Sequence, residues 1–186
     1  RLPSPMPRSM ALLMPRRRNS SNTGKDLEKR ISQTAHIYEM QGKVVLRKCD
    51  PPSRTLNING RVVTTLLKNP FPDFVGVWTT GGGRGLFIEA KSTKEPRLPI
   101  MCKSGGLTID QTNALSCWHE GGAAVGVVWE RGLHWKFVGI KQIQKTLLMK
   151  RGNQPRKSIR WDEAENIPTT GVVLIDFLHN IEKHYG

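Results

Sequence analysis

The sequence predicts an α/β protein with a mixed central sheet flanked by helices. Three observations point there. Apolar residues recur at helical spacing after residue 23 and again after residue 107. Short runs rich in Val, Ile, Phe and Trp are interleaved with them and broken by Gly and Pro. One such run, Ala123–Trp129, is apolar almost throughout, as in a strand buried on both faces of a sheet. At 186 residues the chain fits one domain with a tail.

Taken in order, residues 1–22 hold Pro, Ser, Met and Arg without an acid. They read as a basic, flexible N-terminal arm whose Arg16, Arg17 and Arg18 are available to phosphates. The apolar stretch Met10–Met14 is shorter than a signal h-region, and its arginine cluster follows rather than precedes it. Thr23 caps a helix with Leu27, Ile31, Ala35 and Met40 on its inward stripe and Glu28 at the stripe's edge. Lys43–Cys49 is a strand ended by Pro51-Pro52. Leu56–Ile58, Asn59-Gly60 and Arg61–Leu67 make a hairpin with a type I′ turn. From Pro72 to Lys91, two strand-like runs flank the break Gly81–Gly85, and Ser92–Pro99 is a basic turn region.

Thr108 then caps a helix with Ala114, Leu115 and Trp118 inward, stopped by Gly121-Gly122. After the buried strand, Glu130–Gly132 turns the chain and Leu133–Ile140 is a further strand. Lys141–Met149 is helical, and Lys150–Arg160 is a basic loop. Val172–Tyr185 is a helix with Leu174, Phe177, Leu178 and Ile181 inward. Trp78, Trp118, Trp129 and Trp135 fit core positions. Trp161, just past the basic loop, is available to stack on an unpaired base.

The net charge is +14, from 29 Lys+Arg against 15 Asp+Glu. Such an excess favours a polyanion, because Lys and Arg displace the counterions condensed on phosphates. No apolar run approaches the ~20 residues of a spanning helix. Cys49, Cys102 and Cys117 are odd in number and lack CxxC spacing. They argue against disulfides and thiolate zinc, and for a reducing compartment such as the cytoplasm. The histidines show no HxxH or HExxH spacing.

The stretch with chemical content is Pro72–Lys91. Side chains alternate across a strand, so Glu89 and Lys91 share a face while Ala90 points the other way. Asp73, on the neighbouring run, can approach both. Two carboxylates beside an ammonium suit a hard cation, which takes oxygen ligands and keeps several waters. The bland alternative is a pair of solvated carboxylates at hairpin ends with Lys91 as surface partner.

The spacing Pro72-Asp73, then Glu89-Ala90-Lys91, resembles the motif of the PD-(D/E)xK nucleases. Gly24 and Glu28 on the preceding helix, Gln111 at the start of the following one, and Gly121-Gly122 before a strand extend the resemblance. It is greatest to Holliday junction resolvases of the RecU and archaeal Hjc kind. The resemblance implies a restriction-endonuclease-like core over residues 23–140 of a single nuclease domain, 23–186, with 141–186 as a helical extension. It implies catalytic roles for Glu28, Asp73, Glu89, Lys91 and Gln111. A Mg²⁺ ion, for which Mn²⁺ substitutes, would be held by Asp73, Glu89, the Ala90 carbonyl and Glu28. The implied activity is paired, symmetric nicking of four-way DNA junctions by a homodimer. Lys25, Arg84, Lys94 and Arg97 join the N-terminal arginines as expected DNA contacts. Two alternatives stand beside this: another enzyme of the same superfamily, repair or restriction-like, and a non-catalytic basic DNA-binding module.

Overall fold

The computed structural model describes residues 23–51, 53–58, 61–66, 71–151, 153–170 and 174–186. The expected arm 1–22, with Arg16, Arg17 and Arg18, and the turn Asn59-Gly60 lie outside these residues.

The elements are α1 (Thr23–Met40), β1 (Val44–Lys48), β2 (Ser53–Ile58), β3 (Arg61–Leu66), β4 (Phe74–Trp78), β5 (Arg84–Ser92), β6 (Arg97–Cys102) and β7 (Leu107–Thr108). They continue with α2 (Ile109–Glu120), β8 (Ala124–Arg131), β9 (His134–Gly139), α3 (Ile140–Leu148), β10 (Lys150–Arg151), β11 (Gln154–Pro155) and β12 (Ser158–Arg160). A single 3₁₀ turn (Trp161–Glu163), β13 (Glu165–Asn166), β14 (Thr169–Thr170), β15 (Leu174–Ile175) and α4 (Phe177–Tyr185) complete them.

The central sheet runs β1-β4-β5-β8-β9-β13. Only β5 and β8 pair in parallel, with Glu89 opposite Val127; the other neighbours are antiparallel. The fold class is therefore the expected one, a mixed central sheet flanked by helices. The parallel pair needs a crossover, and β6, β7 and α2 supply it, as parallel strands require.

Strand alternation gives the sheet two apolar faces. On one, Leu86, Ile88, Ala124 and Val128 pack against Leu27, Ile31, Ala35 and Tyr38 of α1 and Phe177, Leu178 and Ile181 of α4. On the other, Phe87, Val125, Val127, Trp129 and Val138 pack against Leu115 of α2, Ile140 and Ile143 of α3, and Leu98, Ile100 and Ile159 of a smaller sheet ordered β12-β6-β7. Strand β8 is buried from Ala124 to Glu130, as its composition requires. A Cβ on Gly126 would sit 2.2 Å from the Phe137 ring, so β8 and β9 approach closely because that position has no side chain. Gly122, at φ +89, ends the α2 turn in a conformation open to glycine.

Four sequence expectations are corrected. Met40 is 77% exposed; Tyr38 takes the inward place near the end of α1. Part of Ser92–Pro99 belongs to β6, whose Leu98 faces Ile159 of β12. The basic loop Lys150–Arg160 contains β10, β11 and β12, so 141–186 is not simply helical. The C-terminal helix begins at Phe177, because Asp176 caps it through the His179 amide and Leu174–Ile175 pair with Thr169–Thr170. In addition, Glu130 lies within β8, and Gly132, at φ 66, is at the turn.

Phe177 is fully buried and meets the Tyr38 ring edge-on at 5.5 Å. Phe177→Ala should therefore cost about 3–5 kcal/mol, the range for emptying a buried aromatic site. Urea unfolding measures this; a loss below about 1 kcal/mol would show that α4 does not share the core.

Candidate active site

The antiparallel ladder of β4 and β5 ends with Phe74 opposite Ile88. One rung further, Asp73 falls opposite Glu89. The Asp73 carboxylate accepts a hydrogen bond from the Ala90 amide at 2.8 Å, which pins it to the neighbouring strand. Phe74 and Ile88 point into the α1 face, so Asp73 and Glu89 point to the other, toward α2.

Glu89 is 1% exposed. Lys91, two residues along the same face, places Nζ 2.7 Å from its Oε1. The Gln111 side-chain nitrogen donates to the same oxygen at 2.5 Å. Gln111 is itself held. The Thr108 hydroxyl accepts from the Gln111 amide at 3.2 Å, and the Gln111 side-chain oxygen accepts from the Thr108 amide at 3.1 Å. This reciprocal cap at the start of α2 fixes which end of the Gln111 amide faces Glu89.

Burial, followed by the Asp73 charge, pushes the Glu89 carboxyl up to about 7; Lys91 opposes both. Two carboxylates facing each other across one rung repel, and a low-dielectric wall strengthens that repulsion. A cation between them would relieve it. The donors available are oxygen only: two carboxylates and the Ala90 carbonyl. That set fits magnesium, which accepts one or two protein carboxylates and retains water.

The structure thus brings Asp73, Glu89, Lys91 and Gln111 together. It does not bring Glu28 to them. Among the described residues no group of three or more His, Cys, Asp or Glu is placed to hold one ion. The reason lies in the faces of the sheet. Helix α1 covers the face opposite to Glu89, and Glu28 pairs with Lys48 at 3.2 Å. Lys48 also binds Asp50 at 2.6 Å.

The expected DNA contacts divide in the same way. Lys25, Lys94 and Arg97 are exposed. Arg84 is not at a free hairpin tip: it opens β5, and its guanidinium donates to the Tyr185 carbonyl at 2.7 Å, tying the sheet to α4. Trp161 meets Trp129 edge-on at 4.7 Å, so it packs on the core rather than standing free for a base.

Thr108 and Lys48 each hold a predicted site residue. Thr108 caps α2, and its spacing to Gln111 is the Thr-x-x-Gln capping-box signal that also fixes the side chain reaching Glu89. Lys48 had no local signal, because its pairing with Glu28 spans a helix and a strand.

No family model matches the sequence, and no curated protein matches it. Among solved structures, the chain is similar to the 1.6 Å structure of Archaeoglobus fulgidus Hjc, a Holliday junction resolvase from an archaeal hyperthermophile. The identity is 17%, the alignment covers 75% of this chain and 95% of that one, and the TM-score is 0.45.

A carboxyl raised in the folded state stabilises the protein below its unfolded value and loses that contribution as pH rises toward the folded value. In metal-free protein, Glu89 should therefore weaken the fold progressively from about pH 4.5 to about pH 7. Urea midpoints across this window should show Glu89→Gln gaining on wild type by an amount on the order of 2–3 kcal/mol. A difference independent of pH would show that Glu89 titrates normally.

Proposed function

We propose that the chain is a divalent-metal-dependent endodeoxyribonuclease. The observation that carries this reading is the pairing of Asp73 with Glu89 across one rung, with Lys91 on the same carboxylate. Glycosidase-like acid–base use of the two carboxylates is a poorer fit, because Lys91 and Gln111 both hold Glu89 as an acceptor. The +14 charge suits a phosphodiester substrate.

Asp73, Glu89 and the Ala90 carbonyl would hold the ion, with Glu28 contributing through water at most. When bound, a divalent cation supplies charge to a phosphoryl oxygen and lowers the pKa of water. Lys91 orients the attacking water as an ammonium or, as the neutral amine, takes its proton; its Nζ already lies at the carboxylate edge. Gln111 keeps the Glu89 carboxylate turned toward Asp73 and Lys91. In-line attack would leave a 5′-phosphate and a 3′-hydroxyl, as the sequence resemblance implies.

The substrate class implied by that resemblance is the four-way DNA junction, nicked in pairs. A two-fold substrate is served by a two-fold protein, so the active species is proposed to be a homodimer. It would work in the cytoplasm or on the nucleoid.

Asp73→Asn and Glu89→Gln should each lower Mg²⁺-dependent cleavage by at least about 10³-fold while leaving DNA binding intact, because removing negative charge does not weaken attraction to phosphate. The substrates are labelled four-way junction, flap, single strand and duplex. Paired nicks on the junction alone identify a resolvase; cuts elsewhere identify another nuclease; binding with no cut removes the catalytic reading. Calorimetry adds a second readout: Mg²⁺ should bind wild type and bind Asp73→Asn far more weakly.

Sedimentation at micromolar concentration should give a dimer. A monomer that cleaves junctions fully would remove the two-fold assignment.

A further inference from the structure

Within the basic segment 150–160, which the site does not use, β12 pairs with β6, and Lys150, Arg156 and Arg160 help to line a concavity of about 470 Å³. Its lining is Arg97, Met149, Lys150, Arg156, Arg160 and Glu163. Four cations and one carboxylate thus line it, with Asp162 beside Arg160 as the second acid nearby. From Lys150 to Arg160 the chain contains no acid.

The ladder sharpens this. Arg97 of β6 and Arg160 of β12 are directly opposed in an antiparallel pair. Like charges in that position destabilise a sheet. Only part of this is offset within the protein. Arg160 bonds Asp162, through Nε at 2.9 Å and through its terminal nitrogen, and Arg156 pairs with Glu163. Glu163 also accepts from the Arg160 amide at 2.9 Å, which fixes the turn that follows Arg160. Arg97 has a long contact to the Ser158 hydroxyl, at 3.5 Å, and stays exposed, as does Lys150. The structure therefore holds guanidinium forks close together without a matching number of acids, in a recess open to solvent. Such forks fit phosphate oxygens in pairs.

The position is also informative. β6 and β12 pack, through Leu98, Ile100 and Ile159, on the sheet face toward which Glu89, Lys91 and Gln111 point. We infer that Arg97, Lys150, Arg156 and Arg160 form a second phosphate-binding site for the backbone of a DNA arm on that face. This deepens the nuclease reading and rests on it. It assigns Lys150, Arg156 and Arg160, which the motif region did not include, and gives Arg97 its partners.

The test uses the full chain in EDTA, with a fluorescent duplex and a fluorescent four-way junction, titrated at several salt concentrations. Arg97→Gln combined with Arg160→Gln should weaken binding about tenfold near 0.1 M salt and flatten the log–log salt slope by about one to two, since each phosphate contact contributes about 0.9. The melting temperature should change little, because relief of the opposed charges offsets loss of the exposed Arg160–Asp162 pair; a purely structural role for the two arginines would lower it. Lys150→Gln, on the exposed rim, should show a smaller loss in the same direction and keeps the test open if the double variant folds poorly.

Wild-type affinity and slope in both variants overturn the inference. So does a loss seen only with phosphatidylserine vesicles and not with DNA. Arginine-dependent DNA binding in a protein that cuts nothing upholds this site while removing the nuclease reading. Cleavage with arginine-independent binding does the reverse.

Discussion

The arrangement depends on one buried carboxylate. Glu89 lies inside the sheet at 1% exposure, where an unpaired charge would be very costly. It is tolerated because Lys91 and Gln111 meet the same oxygen, at 2.7 and 2.5 Å. Both partners come from elements that the sheet itself orients. Lys91 shares the strand and the face, and Gln111 sits on the helix that crosses from β5 back to β8. The crossover that makes one parallel pair in an otherwise antiparallel sheet is thus also what closes the site from above. Asp73 supplies the opposing influence. It stands one rung across, fixed by the Ala90 amide, and raises the cost of ionising Glu89 rather than lowering it. The pair is held in a state of mutual repulsion that packing alone does not resolve.

The two faces of the sheet separate jobs that a linear reading runs together. Residues 88 and 90 point to α1, and residues 89 and 91 to α2. A helix that precedes the motif in sequence can therefore lie against the same strand without its acid reaching the same pocket. Glu28 satisfies its charge on Lys48 instead. Lys48 is the last residue of β1, and Asp73 caps the neighbouring rung through its carbonyl to the Cys49 amide at 2.7 Å. Glu28 is thus near the same end of the sheet but on its far side.

The sequence made some of this legible and hid the rest for physical reasons. The Ala123–Trp129 run announced a central strand because only a strand covered on both faces can be so apolar. Thr108 announced its helix because capping chemistry is local. Asp73, Glu89 and Lys91 could be grouped because strand alternation is a short-range rule and the turn between their strands is short. By contrast, β6 was hidden by Pro96 and Pro99, and its partner β12 lies about sixty residues away, at Ile159 opposite Leu98. No local pattern encodes such a pairing. The start of α4 was misplaced because Leu174 and Ile175 fit a helical stripe as well as a short strand, whereas the Asp176 cap, two residues before Leu178, marked the true boundary. The stripe on α1 failed at Met40 because the helix ends there and Gly42, at φ 70, turns the chain away.

The reciprocal cap at Thr108 and Gln111 carries one more implication. In most helices the third position of such a box accepts glutamate as readily as glutamine, since either oxygen serves the backbone amide. Here the other half of the side chain must be a donor, because it ends on Glu89. Glutamate would satisfy the helix and crowd the pocket with a third negative group. The amide therefore both closes the cap at the start of α2 and donates to Glu89, so the first turn of the helix and the carboxylate share one side chain.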